Sequence, residues 1–203
     1  MKGSAPYSIV DPPFTLEFTR MSKAELRAYA AWFHETDAER VAELVRIVRG
    51  TPGFEGWLPD ETPESLDTLG RWFEGQVEMR PKTEDELAND RALLAGLGEQ
   101  WVEPKTLTDR TASLAMDMGR YFARVMLKAV PEAKWSLRLT GPTKADYGQP
   151  TLIGLGPPPL NPVTVMIVTA KHIAAGRSHE LLELFAIWRD SLRTPPRKKQ
   201  APR

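Results

Sequence analysis

Leu114-Ala-Met-Asp-Met-Gly-Arg-Tyr-Phe-Ala-Arg-Val-Met126, Lys134-Trp-Ser-Leu-Arg-Leu139, Pro150-Thr-Leu-Ile-Gly-Leu-Gly156 and Asn161-Pro-Val-Thr-Val-Met-Ile167 are the four pieces of sequence on which the fold turns. In the first, Leu114, Met118, Tyr121, Phe122, Val125 and Met126 fall at helical spacing, so it reads as a helix with an apolar stripe. Thr108 or Thr111 opens that helix and Pro131 stops it. In the second, Trp135, Leu137 and Leu139 alternate with polar residues, the mark of a half-buried strand over 134–140. A polar connection then leads to a second strand over 151–155, antiparallel to the first and ended by Pro157-Pro158-Pro159. Asn161-Pro162 combines an N-cap with a proline at the first helical position. Val163, Met166, Ile167, Ala170, Ile173 and Ala174 keep helical spacing, and Gly176 closes the helix. Strand is the competing reading of 163–173, because Val, Ile and Thr favour it; the two end signals favour helix.

Upstream, residues 1–13 read as an irregular lead-in, and Phe14-Thr-Leu-Glu-Phe-Thr19 alternates as a short strand would. Ser22-Lys-Ala-Glu25 is a capping box that opens a helix running to Gly50. The polar stretch from His34 to Arg40 divides that helix into two near Thr36-Asp37. Thr62-Pro63 starts a helix to about Glu78 along Leu66, Leu69, Phe73 and Val77. Thr83-Glu-Asp-Glu86 is a second capping box, opening a helix to about residue 101. The loop near 102–108 separates a helical half, to about residue 105, from an α+β half. Ser178 caps a last helix carrying Leu181, Leu182, Leu184, Phe185 and Trp188. The basic tail 195–203 reads as disordered. The expected fold is therefore α+β and mostly helical, a single composite domain over 14–194 with a small antiparallel sheet of two to four strands packed against helices.

The 203 residues can bury a sizeable core. Lys+Arg and Asp+Glu both number 27, so no net field draws the chain to nucleic acid or to an anionic membrane. A charge near zero also makes association easier without fixing an oligomeric state. Cys is absent, which removes disulfides, thiolate nucleophiles and Cys-based metal sites and fits a reducing cytoplasm. The N-terminus has no apolar stretch of signal-peptide type. The longest apolar run, 163–168, is too short to span a bilayer.

The candidates for chemistry are few. His34 sits beside Glu35 and Asp37 without the spacing of a metal-ligand set, so no metal and no cofactor are expected. Gly154-Leu-Gly156 is followed by prolines, which forbid the helix N-terminus of a dinucleotide fingerprint. Asp117 is the awkward carboxylate. It lies between Met116 and Met118, where an unpaired charge is costly, so it should pair with Arg120 or Arg124 or reach the surface. An enzymatic alternative places Asp117, Arg120 and His172 in one groove between the two halves. Gly56-Trp57-Leu58 and Arg71-Trp72-Phe73 offer aromatic anchors of the kind found at binding hot spots, which makes Trp57, Arg71 and Trp72 candidate partner-binding residues. Core packing is the plainer role for each tryptophan.

The run Leu114-Ala-x-Asp-x-Gly-x-Tyr-Phe-x-x-Val125, followed by Trp135, Thr151 to Leu155 and Asn161-Pro162, resembles a pattern of uncharacterised bacterial proteins grouped with the immunity proteins of polymorphic toxin systems. Ser65-Leu-Asp-Thr-Leu-Gly-Arg-Trp-Phe73 is similar to a second motif of the same group. The resemblance implies a cytoplasmic, non-catalytic protein that docks onto a toxin-like protein partner, and it brings no catalytic residues with it. Physically, Gly119 and Phe122 read as close helix packing.

Overall fold

One helix, α5 (Asp109–Ala129), organises the fold. Thr108 caps it, its Oγ1 accepting the Thr111 N–H at 3.2 Å. Every residue from Ser113 to Ala123 is buried, so α5 is covered on all sides rather than along one stripe. The structure, a computed structural model, describes residues 6–94, 96, 98–141, 145–177 and 180–195.

The elements around α5 follow their local signals. The Ser22–Glu25 capping box opens α1 (Lys23–Glu35), and Thr36 separates it from α2 (Asp37–Arg49), so the expected division falls where the polar stretch placed it. Leu44 and Val48 of α2 are fully buried, and α2 packs on α5. Next comes α3 (Ser65–Glu74), which buries Leu66, Leu69, Trp72 and Phe73. Beyond it lie β1 (Met79–Pro81), α4 (Glu84–Leu93), a single 3₁₀ turn at Glu99–Trp101 and β2 (Lys105–Leu107). After α5 come β3 (Lys134–Leu137), β4 (Pro150–Ile153), α6 (Pro162–Ala174) and α7 (Leu181–Arg193).

The fold is α+β and mostly helical, with two small antiparallel sheets of two strands each among the described residues. β3 pairs with β4 in the register Trp135 to Leu152, and β1 with β2 in the register Arg80 to Thr106. Residues 162–174 are helix, as the end signals indicated. Asn161 Oδ1 accepts the Thr164 N–H at 3.0 Å, and Gly176 closes the helix at φ 73°. One apolar cluster runs from Val41 through α3, α5 and β4 to Leu192, drawing on both halves of the chain. A second, around Met21, Leu26, Tyr29 and Tyr147, is flanked by Phe14, Phe18, Trp32 and Leu139.

Several expectations are corrected. Phe14–Thr19 forms no strand. The chain turns there, with the N–H groups of Arg20 and Met21 both donating to Glu17 O, while Phe14 and Phe18 meet Tyr29 edge-on. The third helix stops at Glu74, capped by Gly75, rather than near residue 78, because the Glu78 backbone bonds away to Thr108 N–H and Thr111 Oγ1. The fourth helix stops at Leu93 and buries no residue, so no core contact carries it to residue 101. The loop near 102–108 contains β2, which pairs back to β1. Ser178 and the tail from residue 196 lie outside the described residues.

Because α4 buries nothing, its end bonds matter. Glu86 accepts the Thr83 N–H at 2.8 Å and takes both terminal nitrogens of Arg80 at 2.8 and 2.7 Å. The Arg80 guanidinium holds the Glu86 carboxyl down at about 2, against an ordinary 4.5. A carboxyl lowered on folding supports the fold above its unfolded value and loses that support as pH falls toward its folded value. The protection of α4 amides, their exchange rate relative to the intrinsic rate at each pH, is therefore expected to fall as pH drops from 4.5 toward 2. Glu86→Gln should remove the transition, and matching exchange profiles for the two proteins would show that the tether is idle.

Candidate functional site

The charged centre of the molecule is a closed cluster under the lead-in. Asp117 is fully buried on α5. Its carboxylate accepts Arg40 Nε at 3.0 Å on one oxygen, and Arg40 Nη2 at 2.7 Å and Tyr7 OH at 2.5 Å on the other. The expected partners Arg120 and Arg124 are thus replaced by Arg40 of α2, whose side chain is only 10% exposed. The reason is directional. Arg120 leaves the same helix toward α1, donating to Phe33 O and to Thr36 Oγ1 at 3.1 Å. Arg124 pairs with Asp37 at 2.7 Å.

The cluster fastens the lead-in to the core. Ser113 Oγ accepts the Val10 N–H at 2.7 Å and shares a hydrogen bond with Tyr7 OH at 2.8 Å. Arg40 Nη2 also donates to Ser8 O at 2.8 Å, and Arg46 Nη2 to Pro6 O at 3.0 Å. Burial pushes the Asp117 carboxyl up, while the bonds from Arg40 and Tyr7 pull the other way. Burial, reinforced by the Asp117 charge, raises the Tyr7 phenol well above its ordinary value. Burial alone would lower Arg40, yet the Asp117 carboxylate holds it above the ordinary arginine value. Three donors occupy a carboxylate with about four acceptor positions, so the group is spent on holding the chain together.

Arg120 is fully buried, with its guanidinium over the Phe33 ring at 3.9 Å. Burial holds its guanidinium below the ordinary arginine value, and its Nε has no hydrogen-bond partner. His172 lines a groove of about 760 Å³ between α6, α4 and the β1–β2 ladder, and neither Asp117 nor Arg120 contributes to that lining. None of the described grooves brings the three together.

The aromatic candidates divide. Trp57 and Trp72 are both buried. Trp72 points into the core and donates its indole N–H to Thr51 Oγ1 at 3.0 Å. Trp57 donates to Ser65 O at 3.0 Å and packs edge-on against Tyr121, while its surface forms part of a groove of about 470 Å³ shared with Arg71. Leu58, on the lining of that groove, is 64% exposed. Two of the three candidates therefore meet at one place and the third does not.

Sequence reading missed Tyr7, Arg40 and Ser113. A signal existed for Arg40: it stands four and eight residues before Leu44 and Val48, a lone cation on a buried stripe. Comparison with family models, curated proteins and solved structures finds no match to this chain. Among the described residues no group of three His, Asp or Glu is placed to hold a metal ion, and no helix is long and apolar enough to cross a membrane.

Proposed function

We propose that this chain is a non-catalytic cytoplasmic binding protein that docks onto a protein partner, in the manner of bacterial immunity proteins. The observation that supports the reading is the groove between residues 53–64 and α3. Its wall contains Trp57, already fixed by its bond to Ser65 O, and beside it stand exposed Leu58 and Arg71. A pre-ordered aromatic wall lowers the entropic cost of association, and a protruding leucine beside an arginine gives a partner an apolar anchor and a charge to align on. Asp67 holds the Arg71 guanidinium at 3.1 Å, which orients it along α3.

The test uses the full chain and the product of the gene directly upstream, which this reading takes to be the toxin. Titration calorimetry should show binding by the wild type. Leu58→Asp combined with Arg71→Glu should weaken it about 30-fold, or about 2 kcal/mol. Both positions are exposed, so the variant should fold normally. A wild type that does not bind, or a variant that binds equally well, overturns the proposal.

A further inference from the structure

The groove that His172 lines has a composition that the fold does not require. Trp101 stands there 62% exposed and Val168 of α6 43% exposed, an aromatic and an aliphatic side chain left in water. Around them are Lys105 at the start of β2, Lys171 in the last turn of α6 and Arg177 just past Gly176. Lys82 is engaged with Asp90, so that pair cancels. Lys105, Lys171 and Arg177 form no ion pair among the described residues. Glu103 is the other acid in the lining, so three cations less one acid leave +2 with His172 neutral. The whole chain has zero formal charge, which makes the groove a local cationic field on a neutral body.

Lys171 and Arg177 lie where cations complement a helix C-terminus. That role leaves their charge available, because the last turn is closed by backbone bonds. Gly176 N–H donates to Ile173 O at 2.9 Å and Arg177 N–H to His172 O at 3.0 Å. Nor does a helix end account for Trp101, which comes from a different element.

We propose that this groove binds an extended acidic protein segment, with its carboxylates reaching Lys105, Lys171 and Arg177 and an apolar side chain resting on Trp101 and Val168. Charge complementarity identifies the occupant. A compact anion such as phosphate needs donors converging on one point, typically at a helix N-terminus. Here the cations come from separate elements around some 760 Å³, and α6 presents its carbonyl end. Carboxylates spaced along a chain match cations spaced around a groove. The inference takes its class of partner from the protein-docking reading but uses none of that groove's residues.

The probe is a fluorescein-labelled ten-residue peptide alternating Glu with Leu, compared by anisotropy with its Lys-for-Glu counterpart and with a thymidine decamer. The full chain should bind the Glu peptide most tightly and lose affinity as salt is raised. Lys105→Glu with Lys171→Glu should weaken binding at least tenfold, Trp101→Ala about tenfold, and Leu58→Asp with Arg71→Glu should leave it unchanged. These positions are exposed, and Arg177→Glu offers a second variant. Equal affinity for the Lys peptide, tighter binding of the decamer, or indifference to charge reversal each overturns the inference. Loss of the upstream product's binding in the Leu58/Arg71 variant, with none of these peptide effects, would remove this groove while leaving the docking reading intact.

Discussion

Asp117→Ala is expected to lower the unfolding free energy by about 3–5 kcal/mol, the cost of leaving a buried charge without its partner. The carboxylate is the sole ion-pair acceptor for Arg40 among the described residues, and Arg40 is too buried to be solvated in its place. Tyr7 OH loses an acceptor in the same step, and with it part of the bonding that fastens residues 6–10 to α5. The pair itself need not be stabilising, because burial works against the ionised carboxylate. Asp117→Leu with Arg40→Met should therefore recover most of the loss and fall within about 1 kcal/mol of the wild type. Urea unfolding of the two single variants and the double variant gives the coupling directly. A small loss for Asp117→Ala, or a double variant as unstable as the single, would contradict this account.

The parts of this fold that could be read in advance are those decided within a few residues. The Ser22–Glu25 and Thr83–Glu86 boxes and Asn161-Pro162 each satisfy backbone N–H groups locally, and each helix starts where they place it. β1 and β2 are different. Each has three residues, one of them Pro81, and they pair across 28 positions from Met79 to Leu107, so no period-2 pattern is long enough to see. Phe14–Thr19 misled for the opposite reason. Its alternation is real, but Phe14 and Phe18 answer to the ring of Tyr29 and not to a neighbouring strand.

The candidate site shows the same division. Asp117 was visible because a carboxylate in an apolar run always needs a partner. Its partner was hidden because Arg40 lies 77 residues away, whereas Arg120 and Arg124 are close in sequence and aimed elsewhere. Sequence gives the demand for a counter-charge, and only packing gives the direction of supply. Trp57 and Trp72 make the point for aromatics: residue type predicts large contact area, while the surface-facing groove belongs to just one of them.

Gly119→Val is expected to cost about 3 kcal/mol, because α5 and α6 touch through this glycine. A Cβ there would lie 2.9 Å from Pro162 C, Pro162 O and Val163 Cα. All three neighbours are backbone atoms, so no rotamer change makes room. The helices must separate, disturbing the buried contacts of Met118, Phe122 and Met166. Two effects compete in Gly119→Ala. Alanine gains about 1 kcal/mol of helix propensity over glycine, while its Cβ meets the same three atoms. The clash should win narrowly, leaving Gly119→Ala less stable than wild type by about 1 kcal/mol, with valine well below it. Gly56→Ala is the control, since its Cβ would meet nothing within 4 Å; it should stay within about 0.5 kcal/mol of wild type. Thermal unfolding of the three variants orders them. If Gly119→Ala proves as stable as wild type, propensity outweighs contact, and the close approach of α5 and α6 does not depend on the missing side chain.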